Sequence, residues 1–292
     1  MIQQIINGLG VGSTYALIAT GFVLIFGVAK VFNATQGSIA VLGLYVGATV
    51  ADATGGNFLF AILAALVSGV VSGIGVEFVA VRPLARRGGL LAPFLTTLGL
   101  GELITGVLVV IYGTEPRNFT VDFAPGVIHI GSVAISERKI WIVGIALVLV
   151  VALHRLIYGT RWGRECRAVA EDPARAAILG INPTRLRILV LMLGCGIAGL
   201  TGGLLGFEFS SGTLNQGLNL TVQGLLIAVI AGFTSFVGAA TAGLLLGVAE
   251  TLITAYVPAV PQNAVVYIVV VLVLLVRPTG LVGAAAAEEM RL

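Results

Sequence analysis

EDPARAAILGINP, Glu171 to Pro183, is a polar, punctuated stretch in a chain that is otherwise nearly continuous apolar sequence. Asp172 before Pro173 supplies an N-cap acceptor and then a first helical residue whose missing N–H costs nothing at that position. Glu171 adds negative charge at the positive end of the helix dipole. ARAAIL is made of strong helix formers, and Gly180 supplies a left-handed stop. Asn182-Pro183 breaks the chain again before the next apolar run near Leu186. The expected product is roughly two turns of helix held between two breaks. The whole connection, TRWGRECRAVAEDPARAAILGINPTRLR, carries six arginines and three acids over 28 residues, far more than joining two spans requires. Its alanines would let a partner's groove approach closely while its arginines pair with acidic rims. The alternative is an amphipathic helix lying on anionic lipid.

The rest of the chain decides what that stretch connects. Of its residues 58% are apolar and 10% charged, with a mean hydropathy of +1.08. A soluble domain carries about a quarter charged residues, so this is an integral membrane protein. Forty glycines suit closely packed helices, because association in lipid relies on small residues that let backbones approach. GIAGLTGGLLG (Gly196 to Gly206) and AATAGLLLG (Ala239 to Gly247) space such residues four apart and read as contact faces, unless they only reflect how common Gly and Ala are in membrane helices. The net charge of +3 does not argue for nucleic acid, since the basic residues sit in short loops where they set topology. Cys166 and Cys195 fall in a polar loop and an apolar span, which speaks against a disulfide. The first apolar segment starts at Ile2 without a basic leader region, so it is expected to be retained as a helix.

A membrane helix needs about 20 apolar residues. The expected spans are 5–28, 37–52, 58–81, 90–112, 139–158, 187–206, 220–233, 237–256 and 262–276. The second and seventh are short, and 220–233 either crosses or dips into the membrane as a re-entrant segment. The fold class is therefore an all-α polytopic membrane protein of eight or nine transmembrane helices, one domain over 1–292, with the short helix on a cytoplasmic loop, 159–186. With that loop inside and the spans alternating, thirteen basic residues lie inside: Lys30, Arg82, Arg86, Arg87, Arg155, Arg161, Arg164, Arg167, Arg175, Arg185, Arg187, Arg277 and Arg291. Arg117, Arg138 and Lys139 stay outside. The split follows the positive-inside rule, putting the N-terminus outside and the C-terminus in the cytoplasm, and favours nine crossings.

The loop helix, cast E-D-P-x-x-A-x-x-L-G-I-N-P before a Gly-rich span, resembles the coupling loop of the branched-chain amino acid type permeases of bacterial ABC importers. The resemblance extends over nearly the whole chain. NGLGVGSTYALIATGFVLIFGVAKVFN (Asn7 to Asn33) is similar to the family's first helix and its exit. FLTTLGLGELI (Phe94 to Ile104), GAATAGLLLGVAETL (Gly238 to Leu252) and VLLVRPTGLVG (Val273 to Gly283) resemble its fourth-span, late-helix and terminal-span motifs. The resemblance implies a permease subunit of the inner membrane that pairs with a second, related permease over two cytoplasmic ABC ATPase subunits. It implies an external solute-binding protein, and no cofactor in this chain, ATP and Mg being bound by the ATPases. The ATPase-docking residues it implies are Glu171, Asp172, Ala174, Arg175, Ala177, Ile178, Leu179 and Gly180.

Polar residues inside spans are expensive and face a cavity or a neighbouring helix. Glu102, midway along 90–112, either orients a solute amine or bonds a hydroxyl on another helix. Thr96 and Thr97 lie beside Pro93 in the same span, and Asn33, Thr35 and Gln36 lie where the first span yields to the second. These six are the candidate pathway residues. Glu77 is read as pairing with Arg82, and Glu250 as satisfying backbone ends at a broken span. The chain departs from the family at Asn33-Ala34-Thr35-Gln36-Gly37, where Asn-Phe-Ala-His-Gly is common, and at Phe233-Thr234-Ser235-Phe236. The solute is a branched-chain or other amino acid, or urea, an amide or an aromatic acid, which such permeases also serve. TEPRNFTVDFAPGVIHIGSVAISERK alternates Val and Ile as a short external hairpin would.

Other classes fit less well. The two histidines, His129 and His154, have no metal-ligand partner at useful spacing, and GLGVGST (Gly8 to Thr14) lacks the lysine of a phosphate loop. No enzymatic activity is expected of this chain alone. A proton- or sodium-coupled carrier is expected to place several acids at the midplane and needs no docking helix. Here one acid is central and the elaborated feature is cytoplasmic.

Overall fold

A computed structural model describes residues 1–84, 91–130, 133–233 and 235–256, together with Tyr267, Ile268, Val270, Val271 and Leu275. Apart from those five residues, the expected span 262–276 and its terminal motif lie outside the described residues, as do Arg86, Arg87, Arg277 and Arg291. The described chain is helical almost throughout: α1 Ile2–Ala29, α2 Gln36–Ala53, α3 Phe58–Val76 extended by a π-turn Glu77–Val81, α4 Leu91–Tyr112, α5 Glu137–Gly159, α6 Arg161–Glu171, α7 Pro173–Ile178, α8 Pro183–Phe209, α9 Gln216–Ala231 and α10 Phe236–Tyr256. Six of these, α1, α3 with its π-turn, α4, α5, α8 and α10, are long and apolar enough to cross a membrane. The hairpin expected between the fourth and fifth spans is β2 Val127–Ile130 against β3 Val133–Ser136. β1 Arg117–Asn118 pairs with β4 Ser211–Gly212.

Local signals set the helix ends. Asn57 caps α3 by accepting from the N–H groups of Leu59 and Phe60 at 3.1 and 3.3 Å. Lys30, at φ 53, ends α1 in the left-handed conformation.

Contacts sort those ends into two groups. At one end, Lys139 at the start of α5 reaches Asn7 of α1, Arg117 after α4 pairs with Asp52 of α2, and β1 joins β4 after α8. At the other end Phe26, Phe32 and Phe233 form a ring cluster with centroids 4.4 to 5.4 Å apart, gathering the C-termini of α1 and α9.

Two stretches of the bundle are not regular helix, and they meet. After Lys30 the chain turns back beside α1, so that Gln36 at the start of α2 lies against Gly21. Eight residues of helix rise separate Gly21 from the end of α1, about 12 Å, so the break is deep in the bundle. The segment after β4 descends likewise, and Gly217 at the start of α9 touches Gly37 so closely that a β-carbon on Gly37 would lie 1.8 Å from the Gly217 carbonyl oxygen. Residues 210–231 thus run from one end of the bundle to the other as an extended lead-in plus a short helix. Gln-Gly opens both helices, at 36–37 and at 216–217.

The small-residue faces are helix contacts. A β-carbon on Gly202 of α8 would lie 1.6 Å from the Ala40 carbonyl oxygen of α2, and one on Gly199 would lie 2.3 Å from that of Ala65 on α3. Gly8 and Gly12 of the GLGVGST run pack on the backbone of Val248 and Leu244 in α10.

Candidate functional site

The loop 159–186 holds two helices rather than the one expected. α6 follows α5 after Thr160, whose hydroxyl caps it by accepting from the Gly163 N–H at 3.1 Å. Gly163, Cys166 and Val169 form its buried edge, and the Arg167 guanidinium donates to the Ile157 carbonyl at the end of α5. The arginines concealed this helix, because a stripe of three small or apolar residues is a weak signal among so much charge. Burial pushes the Cys166 thiol up to about 12, so it stays protonated and packs as an apolar group.

α7 forms as its sequence dictates. The Asp172 carboxylate accepts from the N–H groups of Ala174 and Arg175 at 2.9 and 3.1 Å, and Gly180 adopts φ +83. Ala176 is buried on the side facing α6 and α8. Glu171, Ala174, Arg175, Ala177, Ile178, Leu179 and Gly180 are exposed, and Asp172 is half-buried. Ile178 and Leu179 are 86% and 78% exposed at the tip, two large apolar side chains held out by a capped turn.

The loop is tied to the bundle by an ion pair. Arg187, four residues into α8, grips the fully buried Glu77 in a fork, Nε to Oε1 and Oε2 at 3.1 and 2.9 Å and Nη2 to Oε1 at 2.5 Å. This corrects the pairing with Arg82, whose guanidinium instead lies 5.2 Å over the Phe78 ring. The π-turn at Glu77–Val81 faces Glu77 toward α8 while Arg82 follows the outer side. Glu250 is also corrected: α10 is unbroken from Phe236 to Tyr256, and its buried carboxylate accepts from the Tyr15 hydroxyl at 3.3 Å.

Four of the six candidate pathway residues come together at the α1–α2 break. Asn33, Thr35, Gln36 and Thr97 are all fully buried. Asn33 Oδ1 accepts from the Thr35 N–H and hydroxyl at 3.2 and 2.6 Å, and its amide donates to Cys195 Sγ at 3.3 Å. The Thr97 hydroxyl accepts from the Ala34 N–H at 3.0 Å. Thr221 of α9 donates to the Ala34 carbonyl and accepts from the Gly37 N–H at 3.3 and 3.0 Å. Irregular backbone inside a membrane protein has to be satisfied internally, and here hydroxyls from α4 and α9 do it. The Gln36 carboxamide is the exception: neither Nε2 nor Oε1 has a hydrogen-bond partner among the described residues. Thr96 and Glu102 lie apart from this cluster, exposed on the outer side of α4.

A bundle of long apolar helices, broken at its centre around buried polar side chains and carrying a capped polar loop at one end, defines a multi-pass membrane protein of the transport type. Over residues 4–276 the chain matches the family described as branched-chain amino acid transport system / permease component, and it belongs to that family. It is 31% identical over 304 residues to the high-affinity branched-chain amino acid transport system permease protein BraD of Pseudomonas aeruginosa, covering 99% of this chain and 98% of that one. It is 32% identical over 305 residues to the LivH permease protein of the same kind of system in Escherichia coli K12, covering 99% and 97%. The ribose import permease protein RbsC of Escherichia coli K12 is 29% identical over 243 residues, covering 81% of this chain and 71% of that protein.

Proposed function

We propose that this chain is the membrane-spanning subunit of an ATP-driven importer of amino acids, branched-chain ones foremost, and that α7 is where ATPase motion enters it. The exposed, capped tip with Ile178 and Leu179 held out supports this best, because large apolar side chains at a tip are costly in water unless a partner covers them. Two cytoplasmic ABC ATPases bind ATP and Mg and carry out the hydrolysis. A second, related permease pairs with it, and an external binding protein delivers solute. Nucleotide favours one of two arrangements of the bundle. Movement at Glu171–Gly180 reaches α8 directly and α3 through the Glu77–Arg187 fork.

The N-terminus lies outside and the C-terminus in the cytoplasm. Eight passages run through the described residues, counting 30–53 and 210–231 as one each; the ninth expected from the sequence, 262–276, falls largely outside them. Gln36 is the side chain at the break with unused hydrogen-bonding capacity, so it is the first of the Asn33, Thr35, Gln36 and Thr97 cluster to meet solute when the break opens. Glu102, midway along α4 and exposed on this chain alone, is expensive against lipid, so the second permease covers it and the solute path runs beside Glu102 and Thr96.

Two measurements test this reading. Gly180→Val forces a β-branched residue into a left-handed conformation that costs L-residues about 1–2 kcal/mol, so the ratio of native to non-native tip should fall about five- to thirtyfold, lowering solute-stimulated ATP hydrolysis with membrane insertion intact. Undiminished hydrolysis in that variant would remove α7 from the coupling. Glu102→Gln should raise the KM for uptake by about tenfold, the usual order for losing a charged hydrogen bond, and an unaltered KM returns Glu102 to packing.

A further inference from the structure

Away from the break and the loop, the ends of α1, α5, α8 and α10 border an open cavity of about 420 Å³ lined by Gln4, Asn7, Lys139, Glu208, Thr251 and Thr254 among others. That is within the usual range of small-molecule sites, about 300–1,000 Å³. It lies at the end of the bundle where α1 begins, the external face in the reading above.

Two opposite charges share this cavity without closing on each other. Glu208 is the penultimate residue of α8, and its Oε2 is shut away from solvent with no hydrogen-bond partner among the described residues. Lys139 is the third residue of α5, and its ammonium makes one recorded hydrogen bond, to Asn7 Oδ1 at 2.6 Å. An ammonium has three donors. Both side chains flank Gly10 of α1, where a β-carbon would lie 2.8 Å from Glu208 Oε1 and 3.5 Å from Lys139 Cγ. They are thus neighbours, with no hydrogen bond or ion pair recorded between them. A carboxylate oxygen buried without a donor is costly, and that cost falls when a ligand's positive charge sits beside the carboxyl group while its negative charge takes up the spare hydrogens of the Lys139 ammonium. A molecule that carries an ammonium and a carboxylate on one carbon fits both requirements at once.

We infer that this cavity binds a zwitterionic α-amino acid, its ammonium on Glu208 and its carboxylate on Lys139. The inference rests on the amino-acid reading of the importer and adds a subsite to it, separate from the Asn33–Gln36 break. It puts recognition of the amino-acid backbone in the permease itself, with the amides of Gln4 and Asn7 and the Thr254 hydroxyl completing the polar wall.

The test is equilibrium binding of labelled L-leucine to the purified permease–ATPase complex without binding protein, beside ATP-driven leucine uptake by the complete importer in liposomes. Wild type should bind leucine saturably. Unlabelled 4-methylpentanoate, which lacks the ammonium, and 3-methylbutylamine, which lacks the carboxylate, should compete poorly. Glu208→Gln should weaken leucine binding about tenfold and narrow the discrimination against 4-methylpentanoate. Lys139→Met should do the same for 3-methylbutylamine, and each variant serves if the other fails to assemble. Leucine uptake by wild type with no saturable binding, or binding and discrimination unchanged in both variants, overturns the site and leaves the importer reading intact. Wild-type importer that takes up no leucine overturns the amino-acid reading and the site with it.

Discussion

Arg187→Met is expected to cost about 3–5 kcal/mol of stability, among the largest effects of any single substitution that leaves the helix backbone alone. The change strands Glu77, whose side chain is wholly buried and whose two oxygens both depend on the Arg187 fork. The loss comes from an uncompensated buried charge more than from a missing attraction. Removing both partners tests this: Glu77→Met with Arg187→Met leaves no orphan, and such replacements are often neutral. The midpoint of thermal unfolding in detergent should therefore drop sharply for the single variant and recover most of the way in the double. A double variant as unstable as the single would mean that Arg187 matters for something other than Glu77. The same pair of variants bears on coupling, because the fork joins the end of α3 to the start of α8 immediately after α7.

Gly202→Leu should be worse still and prevent recovery of a folded complex. Overpacking a core typically costs about 1–3 kcal/mol because neighbours can shift. Here the neighbour is the Ala40 carbonyl, 1.6 Å from where a β-carbon would sit, and backbone yields only if α2 and α8 separate. α8 is held as close to α2 at Gly43 against Gly199, and to α3 at Gly69 against Cys195, where β-carbons would both come within 2.2 Å of a carbonyl oxygen. Moving one contact therefore loosens several. Gly144 on α5 is the control: nothing lies within 4 Å of a β-carbon there, and Gly144→Ala should be neutral or slightly stabilising through helix propensity. Yield of monodisperse protein after extraction separates the two; equal yields would show that the glycine faces carry less than their geometry implies.

What could be read from the sequence was what local chemistry decides. Asp172-Pro173 and Gly180 specify a helix start and stop within a few residues, and both appear as expected. Six long apolar runs became long apolar helices. What could not be read depends on partners far along the chain. Glu77 meets Arg187 across 110 residues, and no local rule distinguishes that from the nearby Arg82. The polar cluster at 33–36 marked a break, but its depth follows from packing against Gly21 and Thr221. Glu102 and Thr97, five residues apart on one helix, looked like members of one group, yet helical periodicity points them to different sides. Lys139 opens one helix and Glu208 closes another, and only the fold makes them neighbours.

The hydroxyl of Thr221 that satisfies the Ala34 carbonyl is 187 residues downstream of it. Ribosomes add about 5–20 residues each second, so the α1–α2 break waits roughly 10–40 s after its own synthesis for its α9 partner. During that interval Thr97, made much sooner, is the side chain available to hold the exposed backbone. The centre of this protein is therefore among the last parts of it to become native.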